Sequence, residues 1–234
     1  MDSYIITDLW PNIFSHSDCV TQRMLSSTSK WWEPFRKINK THLITTMIAA
    51  NGDLELLKWA RENKYEWNEC VCSMAAYHGH FEMVKWARSN GCEWNNFVCS
   101  YATQFGRFEI LKWAKENNCP WDVNASSIAA YTGNLEILKW LMEHGCIWNK
   151  NICPNAALNG HFETLKWAHS NGCPCDDGIC AMAAYGGHLE ILKWARENNC
   201  EWDVFVCSNA ASNGHLEVLK WARENGCEWE FRKI

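Results

Sequence analysis

The chain has 234 residues, is 47% hydrophobic and carries a formal net charge of −5 at pH 7. That length can bury a large apolar core, but no stretch approaches the roughly 20 apolar residues that a membrane-spanning helix needs. The first four residues are acidic where a secretory signal would be basic, and the acidic balance leaves no basic stripe for a phosphate backbone. We therefore expect an intracellular, cytoplasmic protein that binds neither nucleic acid nor a membrane.

The first segment, residues 5–32, carries a pattern of its own. Residues 5–15 are Ile-Ile-Thr-Asp-Leu-Trp-Pro-Asn-Ile-Phe-Ser, and residues 25–32 are Leu-Ser-Ser-Thr-Ser-Lys-Trp-Trp. This segment resembles the F-box, a small helical module that docks on the Skp1-type adaptor of cullin ubiquitin ligases. The resemblance implies that Leu9, Ile13 and Phe14 contribute to the adaptor-facing or core apolar surface and that Trp32 closes the bundle. The alternative is a helical N-terminal cap, since solenoids need atypical end units.

After this leader the chain is a repeat array. The pair Lys-Trp recurs at a strict spacing of 27 residues, with the tryptophans at Trp59, Trp86, Trp113, Trp140, Trp167, Trp194 and Trp221. Such spacing means that each unit is one supersecondary element, which hides its apolar face by stacking on its neighbours. We therefore divide the chain into residues 1–39, the F-box-like module or cap, and residues 40–234, the repeat array.

The sequence pattern of each repeat predicts two short helices. In the second repeat, residues 71–77 form a first helix that Gly79 stops, and residues 81–89 form a second helix that ends before Asn-Gly. The small residues Ala75 and Ala76 let neighbouring first helices approach closely. A Glu three residues before each repeat Lys predicts solvated ion pairs on the outer face.

A second tryptophan column follows the first by eight residues, at Trp67, Trp94, Trp121, Trp148, Trp202 and Trp229. The apolar register places both columns inside, where indole burial would supply much of the cohesion between repeats. The alternative is a stacking platform for bases or sugars, which would need ring faces open to solvent.

The repeats resemble the ankyrin repeat. Residues 213–220, Asn-Gly-His-Leu-Glu-Val-Leu-Lys, are similar to the start of the family's second helix, and residues 75–80, Ala-Ala-Tyr-His-Gly-His, to its helix-turn segment. The resemblance implies an all-α, ankyrin-like helical solenoid of about seven helix-turn-helix repeats. An ankyrin unit has 33 residues, so we expect its β-hairpin fingers to be reduced or absent. The Trp-rich short repeat resembles families of giant DNA viruses and some protists.

Positions that vary between the repeats lie at the start of the first helix and just before the turn glycine. The resemblance maps both sets to the concave groove of the ankyrin family. We expect its aromatic members to contact a protein partner, while neutral drift at solvent-facing sites is the alternative. These groove candidates are Tyr77, Phe97, Phe105, Tyr131, Tyr185 and Phe205.

Chemistry at a catalytic site is not indicated. No glycine-rich phosphate loop and no Ser/His/Asp signature occurs in the sequence. The 14 cysteines mostly follow the repeat period, and we expect them to be unpaired packing residues. Cys173, Cys175 and Cys180, or Cys70 and Cys72, could in principle bind zinc, but neither group has the second pair of closely spaced ligands that a structural zinc site needs. The histidines after the turn glycines are expected to have a structural, hydrogen-bonding role.

Together these patterns predict a protein-protein interaction scaffold with no cofactor and no enzymatic activity. The F-box-like segment makes it a substrate-recruiting adaptor of a host cullin ubiquitin ligase, in which residues 5–32 bind the adaptor and the groove binds the target. A scaffold without a ubiquitin role, with the segment serving as a cap, is the alternative. A viral origin would place the protein in the host cytoplasm.

Overall fold

The computed structural model describes residues 40–121, 124–173 and 177–227. These ranges contain fourteen α-helices and no β-strand, which confirms the predicted all-α, ankyrin-like fold class. The helices are α1 (Lys40–Asn51), α2 (Leu54–Glu62), α3 (Glu69–His78), α4 (Phe81–Ser89), α5 (Phe97–Gln104), α6 (Phe108–Glu116), α7 (Ala125–Tyr131), α8 (Leu135–Glu143), α9 (Ile152–Leu158), α10 (Phe162–Ser170), α11 (Asp177–Gly186), α12 (Leu189–Glu197), α13 (Val204–Ser212) and α14 (Leu216–Glu224). Odd-numbered helices are the first helices of the repeats, and even-numbered helices are the second.

The described residues form two compact units, with residues 40–121 in the first and residues 124–173 and 177–227 in the second. The first unit holds α1 to α6, and the second holds α7 to α14. Within each unit the first helices of successive repeats pack directly on one another, and each packs on its own second helix. The boundary that we predicted between residues 39 and 40 stays a prediction, because residues 1–39 lie outside the described ranges.

The helix boundaries follow from caps and turn residues. The second helix of the second repeat, α4, spans Phe81–Ser89 as predicted. Its first helix, α3, begins two residues earlier than expected, at Glu69, because the Asn68 side chain caps it by accepting a hydrogen bond from the Cys70 N–H at 3.1 Å. Gly79 closes α3 with φ of 85°, a left-handed conformation that glycine adopts without a steric penalty.

The core of each unit is built from aliphatic and small side chains. The Ala-Ala pair of α3, Ala75 and Ala76, is fully buried, and so are Leu57 and Ala60 of α2. The opposite side of α2 is solvated, since Lys58 Nζ lies 2.6 Å from Glu55 Oε1 in an exposed ion pair. The same pairing recurs at Lys85, Lys112, Lys166 and Lys193.

A histidine after the turn glycine joins neighbouring repeats. His80 donates a hydrogen bond from Nε2 to the Ala50 carbonyl of the preceding repeat at 3.1 Å. A Cβ added to Gly52 would lie 2.5 Å from His80 Cε1, so the ring needs a glycine beneath it. Equivalent bonds run from His161 to Tyr131, from His188 to Leu158 and from His215 to Tyr185. We call these contacts histidine bridges. They agree with the structural, hydrogen-bonding role that we predicted for these histidines.

The expectation that all cysteines are unpaired is wrong. Cys153 and Cys173 form a disulfide with a Cα–Cα distance of 6.6 Å, and Cys200 is also disulfide-bonded. The cause is geometric: the helix position and the loop position of the two cysteine columns face each other within one repeat. A pattern of small buried residues does not show that two columns meet.

Candidate partner-binding surfaces

Four aromatic side chains form a cluster on the first unit. The Tyr77 ring, at the end of α3, lies 4.2 Å from the Phe105 ring and 5.4 Å from the Tyr101 ring, measured between centroids. The Phe97 ring stacks on Tyr101 at 5.7 Å. Phe97 is 51% exposed and Phe105 is 37% exposed. We call Tyr77, Phe97, Tyr101 and Phe105 the aromatic cluster.

Helix periodicity explains why the cluster lies on one face. Phe97, Tyr101 and Phe105 are spaced by four residues along α5 and its C-cap, and residues so spaced are neighbours on a helix surface. Val98 and Ala102, which are fully buried, face the core from the other side of the helix. The register that buries the small side chains therefore turns these aromatic rings outward.

Three exposed aromatic residues occupy the second unit. Tyr131 and Tyr185 are each 49% exposed, and Phe205, near the start of α13, is 60% exposed. The carbonyls of Tyr131 and Tyr185 accept the histidine bridges from His161 and His215. The backbone at these two tyrosines is thus anchored while the rings remain available to solvent.

The sequence missed one member of the aromatic cluster. Tyr101 is a partly buried residue between two rings that were named as groove candidates. Its spacing of four residues from both Phe97 and Phe105 is the signal that could have found it. Tyr77 is half-buried rather than exposed, because Phe105 and Tyr101 pack against it.

A cation borders the aromatic cluster. Arg107 is exposed and lies against the turn after α3, since a Cβ added to Gly79 would be 2.9 Å from Arg107 Nε. Tyrosine and arginine are among the residues that dominate binding energy at protein interfaces. The aromatic cluster with its cationic edge therefore has the composition of a protein-binding surface.

The tryptophan columns pair across repeats but are less deeply buried than we expected. Their edge-on or tilted contacts join the second column of one repeat to the first column of the next, at 5.7 Å for Trp67 and Trp86, and also for Trp94 with Trp113, Trp148 with Trp167 and Trp202 with Trp221. All twelve described tryptophans of these columns are half-buried. Trp229 lies outside the described residues.

The position of the first column on its helix gives the physical reason. Trp59 lies between Lys58, whose side chain is 36% exposed, and the fully buried Ala60, at the border of the apolar face. The core is filled instead by smaller side chains such as Leu57.

Cations lie over the rings of four of the five described tryptophans of the second column. The Arg61 guanidinium lies 4.3 Å from the Trp67 ring centroid, and Arg88, Lys115 and Arg196 take the same place on Trp94, Trp121 and Trp202. A cation over an indole face is attractive by about 0.5–2 kcal/mol. A stacking platform for bases or sugars would have to displace these contacts, so the tryptophans are better described as repeat-to-repeat packing.

The remaining site predictions concern the leader and a metal. Leu9, Ile13, Phe14 and Trp32 of the F-box-like segment lie outside the described residues. In the described part of the chain, no three or more His, Cys, Asp or Glu side chains are placed to hold a metal ion. Cys173 is bonded to Cys153, and Cys175 lies outside the described residues. Within the described ranges no helix has the length and apolar character to cross a bilayer.

Comparisons with known proteins agree with this geometry. The sequence model of the family described as "Ankyrin repeats (3 copies)" matches residues 45–152. Among solved structures, the crystal structure of human ASB11 ankyrin repeat domain is similar, with a TM-score of 0.57, 16% identity, and coverage of 67% of this chain and 84% of that chain. The comparison with curated proteins finds no match. The described repeats therefore have an ankyrin-like helical fold, and residues 45–152 match the ankyrin-repeat model.

Proposed function

We propose that the protein is a substrate-recruiting adaptor that binds a target protein through its exposed aromatic residues. The observation that supports target binding is the aromatic cluster of the first unit, together with Tyr131, Tyr185 and Phe205 of the second. Apolar rings of this size at a solvent-facing surface cost free energy in the unbound protein and gain it when a partner covers them. No catalytic residue is needed, since recruitment works by proximity.

The adaptor role rests on the F-box-like pattern of residues 5–32. In this proposal Leu9, Ile13 and Phe14 contact a Skp1-type adaptor of a cullin ubiquitin ligase, Trp32 closes the module, and the repeats hold the target. The Trp-rich short repeat, which resembles families of giant DNA viruses, favours a host cytoplasm as the place of action. The support for both statements is the sequence alone.

The target surface is tested by affinity capture with the full chain and two matched sets of variants. Phe97→Asp and Phe205→Asp place a charge on the proposed surface, and we expect each to reduce retention of the same captured partner at least about tenfold, because hot-spot aromatics contribute about 2 kcal/mol or more. Ile147→Asp and Leu216→Asp are the controls. These apolar side chains are 63% and 72% exposed, respectively, but they do not belong to the proposed binding surface. Equal retention by all four variants would contradict the proposed surface.

The adaptor role is tested separately. A purified Skp1-type adaptor should co-elute with the full chain, and Leu9→Asp or Phe14→Asp should abolish co-elution while the helical circular dichroism signal persists. A deletion of residues 1–39 that leaves the unfolding midpoint unchanged would support a docking module. No co-elution with the unsubstituted chain, together with a lower midpoint on deletion, would instead support an N-terminal cap.

A further inference from the structure

Two cysteine columns meet inside the repeats. A cysteine in the first helix is followed by a cysteine in the loop after the second helix, always 20 residues later. Both positions are buried. These pairs are Cys72 with Cys92, Cys99 with Cys119, Cys153 with Cys173, Cys180 with Cys200, and Cys207 with Cys227.

One of these pairs is already a disulfide. Cys153 and Cys173 are bonded, and their Cα–Cα distance of 6.6 Å lies within the range that disulfides occupy. Cys72, Cys92, Cys99, Cys119 and Cys207 carry thiols. Because Cys72 with Cys92, and Cys99 with Cys119, hold the same two positions of the 27-residue period, each pair corresponds to the Cys153–Cys173 bond of its own repeat.

The loop cysteine is held at the entrance of its partner's helix. Cys92 donates from Sγ to the Asn68 carbonyl at 3.3 Å, just ahead of α3, which contains Cys72. Cys119 and Cys227 make the same contact with the carbonyls of Asn95 and Asp203. This shared anchor fixes the loop sulfur beside the helix sulfur without a bond between them.

The first of these pairs has an activated sulfur. The hydrogen bond from the Cys72 thiol, helped by the charges of Arg61 and Arg88, lowers the pKa of Cys92 in spite of its burial. The same shared proton, with burial, raises the pKa of Cys72. Thiolates rather than thiols are the nucleophiles in oxidation. Of the two hydrogen-bonded sulfurs, Cys92 is thus the one that more readily becomes a thiolate, and Cys72 keeps the shared proton.

An open cavity of about 470 Å³ lies beside Cys92. Gly91 and Glu93, which flank Cys92 in sequence, line this cavity together with Asn68 and Arg61. Cys92 itself is fully buried and does not line the cavity, so oxidation requires the loop that carries Gly91 and Glu93 to open first. Hydrogen peroxide is small enough to enter such a space.

We propose that Cys72 and Cys92 form a peroxide-reactive dithiol that closes to a disulfide within its repeat. The Cys92 thiolate attacks one oxygen of hydrogen peroxide, an S–O bond forms, the O–O bond breaks, and hydroxide leaves and is protonated to water. Cys72 then attacks the sulfenic sulfur, an S–S bond forms, and a second water leaves. Two thiols are oxidised and one peroxide is reduced to two waters.

The chain contains its own controls for this chemistry. In the fourth repeat the helix position holds Ser126, while the loop position keeps the thiol of Cys146. Peroxide cannot close a disulfide at this pair of positions. Cys70 tests whether exposure alone determines reactivity. It is exposed and lies two residues from Cys72, but partial desolvation of its sulfur and the nearby Glu69 carboxylate raise its pKa. If exposure alone determined reactivity, Cys70 would react before Cys92.

The experiment uses the full chain with the Cys153–Cys173 disulfide intact, purified without reductant and exposed to a limiting amount of hydrogen peroxide. Remaining thiols are blocked with N-ethylmaleimide, and the digest is examined by mass spectrometry. The proposal expects a peptide cross-linked between Cys72 and Cys92 as the first new product, formed at least about tenfold faster than any oxidised form of Cys146. Alkylation at Cys146 and Cys70 should persist under the same conditions.

A single substitution supplies the second measurement. The variant is Cys72→Ser, because the fourth repeat carries a serine, Ser126, at the same position and the fold therefore tolerates it. Cys146→Ser is the matched control. In Cys72→Ser the reaction should stop at a Cys92 sulfenic acid, which dimedone traps, whereas Cys146→Ser should still form the Cys72–Cys92 cross-link. Two results would overturn the proposal. One is a disulfide between Cys70 and Cys92 as the first product, and the other is a Cys92 that N-ethylmaleimide still alkylates as fully as Cys146 after peroxide treatment.

Discussion

One buried hydroxyl interrupts the small-residue packing of the first helices. Where other repeats carry a second alanine, such as Ala76, the third repeat carries Thr103. Thr103 is fully buried, and its Oγ1 finds no hydrogen-bond partner among the described residues. A buried polar atom left without a partner costs about 1–3 kcal/mol. Thr103 is therefore a local weak point in the first unit.

Thr103→Ala should raise the free energy of unfolding by about 1 kcal/mol, because it removes the unpaired hydroxyl and restores the repeat pattern. Urea unfolding followed by tryptophan fluorescence measures the change. Ser73→Ala is the matched control in the same unit, since Ser73 Oγ donates to the Glu69 carbonyl at 3.0 Å and lies 3.2 Å from Asn95 Oδ1. That substitution should lower stability by about 1 kcal/mol. A loss of stability in both variants would contradict the role assigned to Thr103.

At the scale of elements, the tryptophan contacts connect each repeat to the next. The Trp94 ring lies 5.6 Å from the Trp113 ring at an interplanar angle of 72°, the edge-to-face arrangement that aromatic pairs prefer. Arg88 covers the other side of Trp94 at 4.5 Å. These contacts join the loop after α4 to α6, so they couple neighbouring repeats rather than stabilise one helix.

A double-mutant cycle of Trp94→Leu and Trp113→Leu should give a coupling free energy of about 0.5–1.5 kcal/mol. Unfolding midpoints and m-values of the four proteins provide the measurement. Trp67 and Trp113 make the control cycle, because each contacts a different ring and their effects should add. A coupling near zero for Trp94 and Trp113 would mean that the ring contact itself contributes nothing beyond burial.

Local patterns predicted the elements well, whereas contacts between distant positions were predicted poorly. The bounds of α4 follow from apolar periodicity and the Asn-Gly stop, which are properties of neighbouring residues. The depth of Trp59 depends on where its helix meets other elements, so a side chain at the border of the apolar face was placed too deep. The disulfide of Cys153 and Cys173 joins positions whose approach only the folded repeat reveals. Tyr101 could have been found from spacing alone.

At the scale of the whole molecule, the two units are built from the same kind of repeat, and the Cys153–Cys173 disulfide lies in the second unit. The described part of the first unit contains cysteines in thiol form, among them Cys72 and Cys92. The second unit contains the bond between Cys153 and Cys173. A disulfide that spans a sequence separation of 20 stabilises a fold by about 3 kcal/mol in the chain-entropy model.

Reduction of the chain should therefore loosen α9 and α10 and leave α3 and α4 unchanged. We expect amide hydrogen exchange of the most protected residues in α9 and α10 to accelerate by up to about a hundredfold with reductant present. Cys153→Ser should exchange at the faster rate whether or not reductant is added. Equal acceleration in α3 and α4 would show that the reductant acts on something other than this bond.

The histidine bridges give the array a direction. Each ring reaches back to a carbonyl of the module before it, and that module's glycine makes room for it. A copied segment of one full period that carries this histidine, as the periods of His161 and His188 do, would bring a histidine for its predecessor and a carbonyl for its successor. The gain or loss of one such period would therefore change the number of modules without changing how neighbouring modules stack.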